Sequence, residues 1–299
     1  MLHRDKEAFA ELIDRAASAA GFYALLMEKD YYLTLILSRV HELSDDLVFK
    51  GGTCLNKIYY SYYRLSEDLD FSMVLPQYEA TRTQRRQCIG PVKDKIESFA
   101  QSFDMRIEGA DQAGRNESRQ YVYYFVYDSA LIPSRQMIKV EIGLRFNPIL
   151  PAEVGEVKHK FLHPFTGEPL FDGGTVRSLS LKEAVSEKLR AAALREPIAP
   201  RDFYDLDFVI RQGFDLGDPQ VLKLFAAKVK EDGGDPDPEK YRLNLGRPER
   251  EIHDMRSRIE NELFDVLTAG ERKNFDLDAA LKRINLAMDD GERRTENGE

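Results

Sequence analysis

The segment 47–74 constrains the fold more than any other part of this 299-residue chain. It begins with an apolar Leu-Val-Phe run at 47–49, which is typical of a short buried strand that ends at a glycine turn. A tyrosine-rich stretch over 53–63 follows, and we predict that it is helical. Residues 68–74 then alternate between apolar and polar side chains, as a strand with one buried face does. The segment therefore predicts two neighbouring strands joined by a glycine turn and a helix.

Three carboxylates lie on the polar faces of predicted strands. Asp68 and Asp70 are two positions apart, so both project from the same face. Glu141 has the same position in a second alternating stretch, over 139–144. Aspartate is disfavoured in strands, so two on one face require a reason. A sheet that brought the three carboxylates together would supply the oxygen ligands that Mg²⁺ prefers. We therefore predict that Asp68, Asp70 and Glu141 are catalytic and bind a metal ion.

The glycine turn before these aspartates predicts a phosphate site. Gly51 and Gly52 allow backbone N–H groups to approach an anion closely, and the helix predicted from Thr53 favours negative charge at its N-terminus. Gly52 and Asp68 are 68 − 52 = 16 positions apart, which leaves room for a helix that returns the chain to a neighbouring strand. Ser66 is predicted to be a turn residue close to the same site.

Periodicity predicts the elements on either side of this segment. Apolar residues at helical spacing predict helices within 1–45 and over 81–103. An aromatic, β-rich stretch predicts a strand over 121–127, and alternation predicts another over 139–144.

The sequence pattern typical of helices returns after residue 178 and continues to about 288. Ser180 and Glu183 form a predicted capping box, and Pro200 is the predicted first residue of the next helix. Residues 231–238 are rich in turn formers and read as a linker.

These patterns predict three parts of the chain. They are N-terminal helices over 1–45, a core over 46–178, and a helical C-terminal domain over 179–299 whose tail frays from about 289.

Composition excludes several classes of protein. No stretch approaches the roughly 20 apolar residues of a membrane-spanning helix, and the N-terminus lacks the apolar region of a secretory signal. Cys54 and Cys88 have no metal-binding spacing, which excludes a disulfide scaffold and a zinc ribbon and predicts a cytoplasmic protein. The net charge of −9 argues against coating nucleic acid by bulk charge but permits a local basic site.

The ordered motifs resemble the AbiEii/AbiGii nucleotidyltransferase family, which includes toxins of type IV toxin–antitoxin and phage abortive-infection systems and the related MenT toxins. Two strings carry most of the resemblance: Phe-Lys-Gly-Gly-Thr at 49–53 and Arg-Leu-Ser-Glu-Asp-Leu-Asp-Phe at 64–71. Three more stretches follow the family order: Glu-Lys-Asp-Tyr at 28–31, Glu-Lys-Leu-Arg-Ala at 187–191 and Arg-Asp-Phe-Tyr-Asp-Leu at 201–206. The glycine and Asp-x-Asp motifs lie further apart than in the wider superfamily, as suits the AbiEii branch.

The resemblance implies an α+β fold with a polymerase-β-like nucleotidyltransferase core, in which helices flank a mixed sheet, followed by a helical C-terminal region. It also implies an NTP substrate and Mg²⁺, or Mn²⁺, as the cofactor. The residues implied to bind the nucleotide are Gly51, Gly52, Thr53, Ser66 and Lys188.

Lys188 can also be interpreted physically. It lies inside the apolar stripe of the helix predicted from 181, and a lysine on an inward face needs an anionic partner or a route to water. A triphosphate is such a partner, and the resemblance implies the same contact. Asp202 and Asp205 are neighbours on one face of the next helix. The resemblance assigns Asp202 as an essential acid, which we expect to position Lys188 or to orient the nucleotide.

The expected reaction transfers an NMP from an NTP to an RNA acceptor. By resemblance the acceptor is the 3′ end of tRNA, and the protein is a bacterial growth-arrest toxin that a cognate antitoxin protein neutralises. A local basic patch would hold the tRNA, with these candidates: Arg82, Arg85, Arg86, Arg190 and Arg195.

Two alternatives remain open, and none of the three hypotheses involves a membrane partner. One is NMP transfer to a protein hydroxyl. The other is a nucleotide-binding regulator without turnover, against which the three predicted carboxylates argue, because a pure binder does not need them.

Overall fold

The computed structural model describes residues 1–77 and 80–296. The chain forms two compact units, Met1–Leu179 and Ser180–Glu299, and each is described by itself below. The N-terminal helices, predicted as a separate segment over 1–45, belong to the same unit as the sheet. The predicted frayed tail is helical through Glu296, and 297–299 lie outside the described residues.

The helices and strands of the N-terminal unit follow the predicted order. The helices are α1 (Lys6–Ala20), α2 (Ala24–Arg39), α3 (Gly51–Cys54) and α4 (Arg82–Gln101), and α3 continues into a π-helical turn, Leu55–Tyr60. The strands are β1 (Leu47–Lys50), β2 (Leu69–Met73), β3 (Arg106–Glu108), β4 (Gly114–Arg115), β5 (Gln120–Asp128), β6 (Arg135–Gly143), β7 (Glu153–Glu156) and β8 (Thr175–Ser178). The predicted strands and helices of the core are thereby confirmed.

The strands of the described chain form one mixed eight-stranded sheet. Its order is β3-β5-β6-β2-β1-β8-β7, and β4 pairs with β5. In the centre, β1 runs antiparallel to β2, and β2 runs parallel to β6. Helices flank this sheet, which confirms the predicted α+β class.

Alternation along β2 decides which face of the central strands is buried. Leu69, Phe71 and Met73 have no exposed surface, whereas Asp68 and Asp70 on the other side are half-buried. Burial of such side chains contributes roughly 2 kcal/mol each to stability, which fixes the register, because a one-residue slip would expose all three.

Helix α2 is buried nearly all round because it lies beneath the sheet. It contacts β6 and β8 and packs along α1, whose N-cap is Asp5 and whose C-cap is Gly21 in the left-handed conformation.

The C-terminal unit is helical, as predicted. Its helices are α5 (Leu181–Leu194), α6 (Pro200–Arg211), α7 (Pro219–Glu231), α8 (Glu249–Glu262), α9 (Ala269–Asn274) and α10 (Leu277–Glu296). Pro200 is the first residue of α6, and the predicted linker begins where α7 ends.

The hydroxyl contact of the capping box predicted at the start of α5 is present. The Ser180 hydroxyl accepts a hydrogen bond from the backbone N–H of Glu183. The carboxylate of Glu183 also lies 2.7 Å from the ammonium group of Lys228, which is almost completely buried on α7. A buried ammonium needs a carboxylate partner, so this ion pair ties α7 to the start of α5.

Within the part of the chain that the structure describes, the membrane criterion of about 20 apolar residues is not met by any helix.

Candidate active site

Asp70 and Glu141 are direct neighbours across two parallel strands of the N-terminal unit. The register of β2 and β6 pairs Asp70 with Glu141, and the antiparallel register of β1 and β2 pairs Lys50 with Asp70. Asp68 immediately precedes β2 and projects from the same side. The sheet therefore brings the three predicted carboxylates to one face, which we call the carboxylate face: Asp68, Asp70 and Glu141.

The charges on this face shift the pKa of Asp70. Burial, followed by the neighbouring Glu141 and Asp68, raises the pKa of Asp70 from 3.8 to about 6, although Lys50 and Lys139 oppose this. Like charges that crowd one site in this way attract a cation.

Glu141 shifts in the opposite direction. Burial alone would raise its pKa, but the hydrogen bond and charge of Lys139 outweigh burial, and the pKa of Glu141 lies below its ordinary value. Lys139 Nζ lies 2.7 Å from Glu141 Oε2.

We expect the raised pKa of Asp70 to appear as a pH-dependent stability difference in Asp70→Asn. The protonated form of Asp70 favours the folded state. Its contribution to the free energy of unfolding is therefore fully present below about pH 4 and is lost as the pH rises through about 6. The variant should therefore gain stability relative to wild type across this window, by at most about 3 kcal/mol and by less because Asp70 is partly exposed. Thermal unfolding in EDTA at pH 4 and pH 8 measures the difference. An equal difference in stability between the variant and wild type at pH 4 and at pH 8 would contradict the raised pKa of Asp70.

The glycine turn lies directly against the carboxylate face. Gly51 has φ of +79°, and a Cβ atom there would lie 2.6 Å from Asp70 Oδ2. A Cβ atom on Gly52 would overlap the guanidinium of the buried Arg64 and lie 3.5 Å from Ser66 Oγ. Both glycines are therefore needed for close approach.

Thr53 joins the turn to the aspartate motif. Its hydroxyl donates a 2.5 Å hydrogen bond to the backbone carbonyl of Asp68. All the residues predicted in this unit thus gather around β1, β2 and β6, and the remaining predicted site residues, Lys188 and Asp202, belong to the C-terminal unit.

Gly51→Ala should abolish nucleotidyl transfer while costing little stability beyond the strain of its backbone. A left-handed alanine costs about 1–2 kcal/mol, and its Cβ would also displace the Asp70 carboxylate. Gly109→Ala is the matched control, because Gly109 has φ of +72° and open space around it. Transfer rates and unfolding curves of both variants test this. Equal transfer rates in the two would show that the contact with Asp70 does not matter.

Side chains of helix α2 contact the segments that precede β2 and β6, the two strands that bear the carboxylates. Lys29 Nζ lies 2.7 Å from the carboxylate of Glu67, which immediately precedes Asp68. Glu28 is fully buried and accepts 2.6 Å hydrogen bonds from Ser129 Oγ and Ala130 N, between β5 and β6.

A buried ion pair ties α2 to the π-helical turn that follows the glycines. Lys57 Nζ lies 2.8 Å from Asp30 Oδ1, and neither side chain is exposed by more than 1%. Lys57 also donates to the hydroxyls of Thr34 and Tyr62. The Glu-Lys-Asp-Tyr string at 28–31 thus has a structural explanation that the sequence did not provide.

In the C-terminal unit, Lys188 lies between two carboxylates. Its Nζ atom is 2.9 Å from Asp202 Oδ1 and 2.8 Å from Asp205 Oδ2, and both aspartates are fully buried. Arg195 approaches the second oxygen of Asp202 at 3.2 Å. Asp202 and Asp205 are therefore anionic partners of this lysine within the C-terminal unit.

The predicted basic patch needs correction. Arg85 is buried, and its guanidinium donates to the backbone carbonyls of Ala80 and Glu117, so it has a structural role. Arg190 is paired with Asp232. Arg82 and Arg86 are exposed on α4.

Within the described residues, no three or more His, Cys, Asp or Glu side chains are grouped closely enough to hold a metal ion. The chemistry of the carboxylate face nevertheless fits a hard divalent cation, because two strands present carboxylates side by side, and their repulsion adds to burial in raising the pKa of Asp70. Lys139 now neutralises Glu141.

Two lysines of this face escaped prediction. Lys139 shares the polar side of β6 with Glu141, so alternation alone could have identified it. Lys50 faces Asp70 only through the pairing of β1 with β2, which the sequence does not specify.

Comparison with solved structures agrees with the fold described above. The structure of MenT4, a nucleotidyltransferase toxin from Mycobacterium tuberculosis, superposes with a TM-score of 0.56 at 21% identity, covering 94% of this chain and 97% of that one. JHP933 from Helicobacter pylori superposes with a TM-score of 0.51 at 17% identity, covering 93% and 96%. These likenesses show the fold. Comparison with curated proteins gives no significant match.

The family model of the nucleotidyl transferase AbiEii toxin of type IV toxin–antitoxin systems matches residues 35–283. That match spans most of the chain and includes the motifs at 49–53, 64–71, 187–191 and 201–206. Members of this family are nucleotidyltransferases, which use an NTP and a divalent metal ion. The chain therefore belongs to the AbiEii nucleotidyltransferase toxin family.

Proposed function

We propose that this nucleotidyltransferase moves an NMP from an NTP to an RNA acceptor, the 3′ end of tRNA, with Mg²⁺ bound at the carboxylate face. The acceptor hydroxyl attacks the α-phosphorus and releases its proton to solvent, the bond between the α-phosphorus and the oxygen that bridges it to the β-phosphorus breaks, and pyrophosphate leaves with that oxygen. The observation that carries the proposal is the direct pairing of Asp70 with Glu141 beside the Gly51 turn.

The residues of the N-terminal unit have distinct roles in this reaction. The backbone of Gly51 and Gly52 receives the phosphates, supported by Thr53 and Ser66, and Asp68 and Asp70 hold the metal. When bound, the metal activates the attacking hydroxyl and stabilises the leaving pyrophosphate.

Glu141 is proposed as the third metal ligand and not as the general base. A general base works best with a pKa near the working pH, and Lys139 keeps the pKa of Glu141 below its ordinary value. In the C-terminal unit, Lys188 is proposed to contact the nucleotide phosphates and Asp202 to hold its ammonium group.

The choice of RNA as the acceptor rests on the family resemblance and on a small basic surface. Arg82 and Arg86 are exposed and lie four positions apart, on one side of α4. Two arginines supply few phosphate contacts, which suits a net charge of −9 and predicts a shallow dependence of activity on salt.

Labelling with α-³²P NTPs tests the reaction and the acceptor together. Purified protein is incubated with Mg²⁺, total tRNA and each NTP in turn, beside Asp70→Asn. Labelled RNA with wild type alone supports the proposal. Labelled protein instead would identify a protein hydroxyl as the acceptor, and NTP binding without any labelled product would indicate a regulator.

We propose that transfer stops translation and arrests growth, and that a separately encoded antitoxin relieves the arrest. Expression in a bacterial host should stop growth with wild type but not with Asp70→Asn. Arrest by both proteins would show that the toxicity does not depend on transfer.

A further inference from the structure

A lysine lies among the three carboxylates of the carboxylate face. Lys139 and Glu141 are two positions apart on β6, so both side chains project toward the side that carries Asp70. The Nζ atom of Lys139 is 2.7 Å from Glu141 Oε2, and the two side chains are 36% and 27% exposed.

All three carboxylates act on this ammonium group. Burial lowers the pKa of Lys139, but Glu141, Asp70 and Asp68 outweigh burial, and the net shift is upward. The strand register places these charged groups together. Leu69 pairs with Val140, so the residues one position earlier, Asp68 and Lys139, lie side by side on neighbouring strands.

We propose that Lys139 is an exchangeable counter-cation: it neutralises the carboxylate face in the metal-free enzyme and moves to the triphosphate when the metal and NTP bind. The inference rests on the proposed function. A divalent ion and an ammonium group cannot both be closest to Glu141, because their charges repel and they compete for the same oxygen atoms. A lysine can make this move, because its charge is carried on a flexible four-carbon stem and more than a third of the side chain is exposed.

This exchange keeps the carboxylate face neutralised while no metal ion is bound. Lys139 and Lys50 together offset part of the repulsion among the three carboxylates, and the arriving triphosphate provides the ammonium group of Lys139 with a new anionic partner.

Binding measurements that do not depend on turnover test the proposal. Lys139→Gln removes the charge, Lys139→Arg keeps it, and Arg135→Gln is the matched control. Arg135 is a half-exposed cation on the same strand that pairs with Asp128 at 3.6 Å, away from the carboxylate face. Circular dichroism and unfolding curves confirm that each variant folds.

Binding of Mn²⁺ alone is followed by the loss of its electron paramagnetic resonance signal. Lys139→Gln should bind Mn²⁺ about two- to fivefold more tightly than wild type, since an ion pair whose side chains are 36% and 27% exposed competes only modestly with the metal ion. Lys139→Arg and Arg135→Gln should match wild type. Equal affinity in Lys139→Gln and wild type would overturn the exchange.

Binding of inorganic triphosphate with Mg²⁺, measured by calorimetry, tests the second half of the exchange without assuming a preferred base. Lys139→Gln should bind about tenfold more weakly, the cost of one charge-assisted hydrogen bond. Unchanged affinity would overturn the movement to the triphosphate.

Asp70→Asn separates this inference from the proposed function. If wild type binds Mn²⁺ no better than Asp70→Asn does, the metal site itself is wrong and the role of Lys139 is overturned with it. If Asp70 is required and Lys139→Gln changes nothing, the metal site stands and only the exchange is wrong.

Discussion

Asp70→Asn should lower nucleotidyl transfer by about a thousandfold or more, the expected loss when a group that stabilises the reacting charges is removed. Asparagine has nearly the same shape, so the packing around Gly51 and the register with Glu141 should persist. The neutral amide can no longer supply a charged oxygen ligand, so both metal binding and transfer should fall.

Labelling assays at several Mg²⁺ concentrations check this expectation. The control is Asp128→Asn, which removes an acid that is 64% exposed and pairs with Arg106 and Arg135 at the surface. Transfer by Asp70→Asn within tenfold of wild type would remove Asp70 from the machinery. A selective loss only at low Mg²⁺ would restrict its role to metal affinity.

The arrangement of the N-terminal unit could be predicted largely because β2 alternates. With Leu69 and Phe71 buried, the side on which Asp68 and Asp70 lie follows from geometry alone. The pairing of Asp70 with Glu141 could not be derived in this way, because strand order and register depend on contacts between segments about 70 residues apart.

Charge pairs are the part of the site that sequence reasoning predicted least well. Nothing in the sequence marks Lys57, yet it is completely buried against Asp30. Arg85 is by sequence a candidate for the tRNA-binding patch, yet its guanidinium donates to backbone carbonyls. Composition and periodicity indicate which residues are charged, but only the folded chain determines which charges lose their water.

Lys188→Met should destabilise the C-terminal unit by about 3–5 kcal/mol, the usual cost of breaking a buried ion pair by removing one partner. The substitution leaves Asp202 and Asp205 buried one turn apart on α6, with Arg195 as the remaining close cation of Asp202. Urea unfolding of the full chain measures the loss, and an unchanged midpoint would show that the aspartates are not ionised together.

Asp205→Asn added to Lys188→Met separates a structural role of this lysine from a chemical one. Of the two carboxylates that faced Lys188, the double variant keeps only Asp202, which Arg195 can neutralise at 3.2 Å, so most of the lost stability should return. Transfer should stay at least about a hundredfold below wild type if Lys188 contacts the nucleotide, because the methionine at position 188 supplies no positive charge for the phosphates. Asp205→Asn alone, in which the pair of Lys188 with Asp202 remains, shows how much of that loss belongs to Asp205. Recovery of transfer together with stability would mean that Lys188 acts only by balancing the charges of α6.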